Sequence, residues 1–146
     1  MCLVTNQIHP HVAEKDIKVY KVVEKQRNGL YYSPFRTSYT YGHLNKPMEK
    51  EVSEDSYRKC EVWLWSSNKP KKIKCKEITG GYIHAYLSFM AASNTCDNLN
   101  RDYCYLVKRY KIFEMTIPKG AKYYKSYDNR EICADTLIWE NYEKQL

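Results

Sequence analysis

Alternating apolar and polar residues predict a chain built mostly of β-strands. In the segment 16–24, Ile17, Val19 and Val23 fall on one face of an extended chain, and polar residues fill much of the other. Similar patterns predict strands at 37–41, 61–65, 71–78, 82–86, 102–117, 123–124 and 131–140. The segment 30–36 is extended but contains Pro34, which is typical of an edge strand or a loop.

One helix is predicted, from Phe89 to about Leu99. Ser88 precedes it, and a serine hydroxyl can accept a hydrogen bond from the first helical turn. The segment 45–59 is polar without a clear period and is predicted to be mostly irregular. The expected fold is therefore a strand-dominated α+β domain, with one main helix packed on a mixed or split β-sheet. No linker divides the chain, so we expect an N-terminal arm at 1–15 and a single domain at 16–146.

The segments 61–65 and 71–78 predict a β-hairpin with one strongly basic face. Trp63 and Trp65 alternate with Val62 and Leu64, and a polar turn with Pro70 follows. Five lysines lie within the eight residues of the turn and second strand: Lys69, Lys71, Lys72, Lys74 and Lys76.

Composition adds a basic charge and many tyrosines to this picture. The chain has 146 residues, 15 of them tyrosine, with a formal net charge of +7. Such a charge permits a polyanionic partner, but it also favours solubility alone. The length is sufficient for a core without a metal or disulfide.

The cysteines and the chain start indicate a cytoplasmic protein. No apolar run approaches the ~20 residues that span a bilayer, and the first residues lack signal-peptide features. We therefore expect no membrane association and six free, mostly buried cysteines; a disulfide-rich secreted protein is the alternative. Lysines around Cys75 would lower its pKa, although Cys75 shares a face with Ile73 and is interpreted as structural.

No metal or cofactor is expected. His9 and His11 are the one close histidine pair, but alternate residues of an extended chain point to opposite faces. No phosphate-binding loop, nucleophile elbow or metalloprotease motif is present.

The basic hairpin has two interpretations. Lysines beside aromatic rings are typical of nucleic-acid surfaces, which makes Lys71, Lys72, Lys74, Lys76, Trp63 and Trp65 candidates for nucleic-acid binding. Lysines also protect an edge strand from pairing with another sheet. The lack of arginine in this segment favours the second interpretation.

Most of the chain after residue 16 resembles small uncharacterised bacterial and phage proteins. The resemblance lies in YKIFEMTIPKGAKYY at 110–124 and EICADTLI at 131–138, with GGYIHAY, YKV and SPFR earlier in the chain. In this layout a glycine and aromatic–histidine segment precedes a helix. The shared motifs are mainly structural, and no activity comes with them.

The same layout is remotely similar to the ADP-ribosyltransferase scaffold. There a strand after a proline–lysine–glycine turn carries the catalytic glutamate, for which Glu131 is the match. Tyr20 and Lys21 stand where that family has tyrosine beside arginine or histidine, and Tyr86 or Ser88 matches its central motif loosely. His84 follows a glycine pair, which often marks a close approach to a ligand. Glu131, His84 and Tyr20 are thus the catalytic candidates, each with an ordinary structural role as the alternative.

The function suggested by the sequence is a non-enzymatic binding or interaction domain with a protein or nucleotide ligand. An ADP-ribosyltransferase-like domain that binds NAD or another nucleotide is the first alternative. The second is a module that binds nucleic acid weakly through the segment 69–76.

Overall fold

The computed structural model describes residues 3–25, 31–33, 36–40, 48–49, 56–66, 69–80, 82–103 and 110–138. Within them it contains thirteen strands and one helix. In chain order these are β1 (Leu3–Thr5), β2 (His11–Val12), β3 (Ile17–Lys25), β4 (Tyr31–Ser33), β5 (Arg36–Thr40), β6 (Met48–Glu49), β7 (Ser56–Ser66), β8 (Lys69–Gly80), β9 (Ile83–Tyr86), α1 (Phe89–Tyr103), β10 (Tyr110–Ile117), β11 (Lys122–Lys125), β12 (Glu131–Ala134) and β13 (Thr136–Leu137).

The strands form two main antiparallel sheets. The larger has eight strands in the order β2-β11-β12-β9-β3-β4-β5, and β10 also pairs with β3. The smaller has the order β1-β8-β7, and β13 pairs with β6 separately. The expected strand-dominated α+β fold with one main helix and a split sheet is therefore confirmed.

Strand β3 lies at the centre of the larger sheet. It pairs with β10 from Ile17↔Ile117 to Glu24↔Tyr110 without a register shift, and its other edge meets β9 and β4. Val19 and Val23 are buried on one face, and Val22 is buried on the other. Neighbouring residues Val22 and Val23 therefore point into two different apolar clusters, one on each face of the strand.

Helix α1 covers one face of the larger sheet. Ala91, Ala92 and Cys96 pack against Val22 of β3 and Ile112 of β10. The opposite face of the sheet holds a larger core with Phe113, Met115, Ile117 and Ile132 among its buried members.

The helix begins as predicted and ends later than predicted. The Ser88 hydroxyl accepts a long hydrogen bond of 3.5 Å from the Ala91 N–H. The prediction that a strand begins at Asp102 is wrong there, because α1 continues to Tyr103. The Asn100 side chain explains the difference: its amide donates to the Tyr110 carbonyl at 3.1 Å and accepts from the Tyr110 N–H at 3.0 Å. A tertiary contact thus fixes the last turn of the helix against β10.

Part of the predicted N-terminal arm contributes to both sheets. Strand β1 pairs with β8 from Leu3↔Ile78 to Thr5↔Lys76, and β2 pairs with β11. Leu3 is completely buried, and it packs in a third apolar cluster with Ile78.

The predicted strand 131–140 is divided into β12 and β13 around Asp135, whose carboxylate accepts a hydrogen bond from the Lys122 N–H at 3.1 Å. Within the predicted irregular segment 45–59, β6 and the start of β7 are strands. Residues 34–35 and 139–140 lie outside the described residues. No helix in the described part of the chain is long and apolar enough to cross a membrane.

Strand β12 gives a direct test of this architecture. Ile132 is fully buried between β11 and β9, so we expect Ile132→Ala to lower the free energy of unfolding by about 2–5 kcal/mol. Ile8→Ala is the control, because Ile8 is 78% exposed and should change stability by less than about 0.5 kcal/mol. Urea unfolding followed by circular dichroism measures both variants; equal effects would contradict the central position of β12.

Candidate functional site

One face of the β7–β8 hairpin combines aromatic rings and lysines. Directly opposite residues of antiparallel strands project to the same side, and the register pairs Lys59↔Lys76, Glu61↔Lys74, Trp63↔Lys72 and Trp65↔Pro70. We call this side the aromatic–lysine face; its members are Tyr57, Lys59, Glu61, Trp63, Trp65, Lys72, Lys74 and Lys76. Four lysines and one glutamate give this face a formal charge of +3.

The aromatic side chains of this face are open to solvent. Trp65 is 83% exposed and Trp63 is 56% exposed. The Lys72 ammonium lies 5.7 Å from the centre of the Trp63 ring and forms an ion pair of 2.5 Å with Glu61. Two large indole rings are therefore exposed to water beside positive charges.

Lys76 fixes the inner end of the face to the larger sheet. Its ammonium donates to the Ile8 carbonyl at 2.7 Å and to the Tyr124 hydroxyl at 3.1 Å. It also lies 4.7 Å from the ring centre of Tyr57 and 4.6 Å from that of Tyr124. The root of the hairpin is thus held by polar and cation–π contacts as well as by strand pairing.

An open cavity of about 700 Å³ lies next to this face. One wall is the chain from Thr5 to Ile8, which leaves β1 at this point. The hairpin supplies the other wall through Tyr57, Lys59, Cys60, Glu61, Lys74, Cys75 and Lys76. The volume lies within the range of about 300–1,000 Å³ that is usual for ligand sites.

The structure brings together five of the six candidates for nucleic-acid binding. Trp63, Trp65, Lys72, Lys74 and Lys76 share the aromatic–lysine face, whereas Lys71 lies opposite Leu64 on the other side of the hairpin. Sequence reasoning missed Tyr57 and Lys59, since it placed the start of the strand at residue 61. Their alternation with Glu61 was the signal that could have extended the strand.

Cys75 also lies on the other side of the hairpin, opposite Cys60. Burial raises the pKa of the Cys75 thiol, and the charge of Cys60 adds to that rise. The prediction that neighbouring lysines lower this pKa is wrong, because Lys74 and Lys76 project to the opposite face.

The three catalytic candidates lie on one face of three neighbouring strands. Glu131 of β12 is opposite Tyr86 of β9, and Tyr86 is opposite Tyr20 of β3. His84 is two residues from Tyr86 and therefore projects to the same side. Tyr86 was only a loose motif match in the sequence. In the sheet it lies between Glu131 and Tyr20 and is a neighbour of both.

A cavity of about 300 Å³ includes Glu131 but neither Tyr20 nor His84. It is lined by Tyr86, Ala91, Asn94, Thr95, Asn98, Asp128, Arg130 and Glu131. The Tyr20 ring instead packs against Phe89, with their centres 5.7 Å apart. Of the three catalytic candidates, the cavity thus includes Glu131 alone.

The Glu131 carboxyl is half-buried beside another acid. Burial raises its pKa above the usual value, and Asp128 raises it further, while Arg130 lowers it in part. The pKa of Tyr86 is also raised by burial; a hydrogen bond with Thr95 lowers it in part, and the charge of Glu131 raises it. The negative charge of Glu131 thus disfavours ionisation of the neighbouring Tyr86 hydroxyl.

No metal centre is found in the described part of the chain, since no three metal-ligating side chains come together there. His11 is exposed on β2, and its ring packs edge-on against Tyr123 at 5.7 Å.

Comparison with known proteins finds no matching family model, no matching curated protein and no matching solved structure. The resemblances suggested by the sequence stay predictions.

The raised pKa of Glu131 predicts a specific pH dependence of stability. The folded chain keeps this proton to higher pH than the unfolded chain, so ionisation favours unfolding. The free energy of unfolding should therefore fall as the pH rises from the usual glutamate pKa of 4.5 through the raised value. We expect Glu131→Gln to lose less stability than the wild type as the pH rises above 4.5.

Urea unfolding at each pH measures this difference, with Glu14→Gln as the control for an exposed carboxylate outside the site. The control should follow the wild-type curve. An unchanged pH profile in Glu131→Gln would contradict the assignment of the raised pKa to this residue.

Proposed function

We propose that this protein is a binding domain that holds single-stranded nucleic acid on the aromatic–lysine face. The single observation that carries the proposal is the exposure of Trp63 and Trp65 on the same face as four lysines. Lysine ammonium groups neutralise phosphates, and indole rings stack on unpaired bases of any sequence.

Protection of a sheet edge does not account for this face. Lysines alone discourage edge-to-edge pairing and favour solubility. Trp65 and Trp63, at 83% and 56% exposure, work against solubility. An exposed pair of large rings among positive charges is better explained by a ligand that is both aromatic and anionic.

The spacing of the two rings also suits a single strand. Trp63 and Trp65 are alternate residues of β7, so their Cα atoms lie about 6.6 Å apart along the strand. Stacking on them requires bases that are not paired in a duplex. Because Lys72 and Lys74 line the neighbouring strand, phosphates can follow β8 while bases rest on β7.

The lack of arginine predicts weak and unselective binding. The lysines can contact phosphates, but the face offers no planar guanidinium to read base edges. We therefore expect dissociation constants of about 10⁻⁴–10⁻⁶ M. About three phosphate contacts to a single strand would give a slope near −2 for log affinity against log salt concentration.

The ADP-ribosyltransferase hypothesis stays a prediction. Glu131 lines a cavity, but Tyr20 and His84 do not line it. Because this cavity contains one of the three candidates, it supports the hypothesis less than the aromatic–lysine face supports nucleic-acid binding.

The test is fluorescence anisotropy with a labelled oligothymidylate, a duplex of equal length and a series of salt concentrations. We expect the single strand to bind more tightly than the duplex. Trp65→Ala should weaken binding by about 1–3 kcal/mol, or about 5- to 150-fold, if one base stacks on this ring. Circular dichroism verifies that the variant is folded.

Two charge-matched variants separate the face from the overall charge. Lys59→Gln/Lys72→Gln/Lys74→Gln and the control Lys15→Gln/Lys119→Gln/Lys122→Gln each remove three positive charges from exposed lysines. The first set should abolish measurable binding, and the second should retain most of it. Equal losses in the two sets, or duplex binding as tight as single-strand binding, would contradict the proposal.

A further inference from the structure

Cys60 and Cys75 occupy directly opposite positions on β7 and β8. Both are free thiols, and their side chains project to the side of the hairpin away from the aromatic–lysine face. The charge of Cys60 contributes to the raised pKa of Cys75. The register makes the two side chains direct cross-strand neighbours.

The register also gives the type of pair that they form. Pro70 has no N–H, so Trp65↔Pro70 must be a non-hydrogen-bonded pair. Pair types alternate along an antiparallel ladder, and the register has no shift between residues 57 and 66. Five steps from Trp65, Cys60↔Cys75 is a hydrogen-bonded pair, with Cα atoms about 5.5 Å apart.

That separation permits a disulfide. Bridged cysteines usually have Cα atoms about 5.5–6 Å apart, but their Cβ atoms must approach to about 3.8 Å. Opposite Cβ atoms in a sheet are about 4.5–5.5 Å apart, and the wider values belong to hydrogen-bonded pairs. A bridge here is reachable by a small inward shift, and the resulting strain makes it easier to reduce than an ordinary structural disulfide.

We propose that Cys60 and Cys75 are a reversible oxidation site. A small-molecule disulfide such as glutathione disulfide oxidises the two thiols to a cross-strand disulfide. Cys60 is half-buried and Cys75 is buried, so Cys60 reacts first. Its thiolate attacks one sulfur of the oxidant, which releases one glutathione thiolate and leaves a mixed disulfide. Cys75 loses its proton to solvent and attacks the Cys60 sulfur, which expels the second glutathione. Two thiols are oxidised, and one glutathione disulfide is reduced to two glutathiones.

The position of the pair gives the bridge a structural consequence. Strand β1 ends its pairing with β8 at Thr5↔Lys76, one residue from Cys75. Among the described residues, β8 beyond this point pairs only with β7. The disulfide would cross-link the two strands where the hairpin leaves the three-stranded sheet.

The experiment incubates the native protein with glutathione disulfide, blocks the remaining thiols and maps the linkage by peptide mass spectrometry. The wild type and the control Cys96→Ala, changed at a buried cysteine of the helix, should each lose two free thiols and yield a Cys60–Cys75 linked peptide. Cys75→Ser should stop at a mixed disulfide between Cys60 and glutathione, and Cys60→Ser should yield no bridge. Dithiothreitol should restore both thiols without unfolding the protein.

Two results would overturn the proposal. One is a native wild type in which Cys60 stays a mixed disulfide and no linked peptide forms. The other is a linkage that forms equally well in guanidinium, because the proposal depends on the register of the folded hairpin. The measurement uses no nucleic acid, so its outcome is independent of the proposed binding function.

Discussion

The continuous pairing of β3 with β10 is the interaction on which the rest of the fold depends. It joins eight residue pairs without a bulge and places apolar side chains on both faces of the same two strands. One face is covered by α1, and the other carries the largest apolar core. Because β9 and β4 share the free edge of β3, every other element of the larger sheet is positioned relative to this pair.

Among the described residues, the hairpin contacts this framework at its root. Leu3 and Ile78 are buried against Tyr124 and Cys133 of the larger sheet, and Lys76 adds hydrogen bonds to Tyr124 and to the Ile8 carbonyl. Further out, β7 and β8 pair with each other, and the exposed rings of Trp63 and Trp65 are accessible to a ligand. The hairpin is thus fixed at its root, and its outer part presents exposed side chains on a defined scaffold.

Local patterns in the sequence predicted the strands and the helix better than they predicted which strands pair with each other. The alternation around Trp63 and Ile73 predicted the hairpin, and Ser88 predicted the start of the helix, because both signals depend on residues close in the chain. The burial of Leu3 could not be predicted, since it requires β1 to find β8 more than seventy positions away. The extension of α1 to Tyr103 likewise depends on the contact between Asn100 and Tyr110.

The same distinction applies to the candidate sites. The basic hairpin was visible in the sequence, but only the register shows that Lys71 leaves the face and that Lys59 and Tyr57 join it. The alignment of Glu131, Tyr86 and Tyr20 across three strands depends on long-range pairing. The spacing of residues along the chain does not predict that these three side chains are neighbours; the order of the strands in the sheet shows it.

The most direct measurement of the central claim is the nuclear magnetic resonance spectrum of the indole N–H groups during titration with oligothymidylate. The chain has three tryptophans, and Trp63→Phe and Trp65→Phe variants assign the signals of Trp63 and Trp65. We expect the Trp63 and Trp65 signals to move progressively as the oligonucleotide is added, and added salt to reverse the change. Indole signals that stay in place while the oligonucleotide binds would show that the ligand occupies another surface, and would contradict the account.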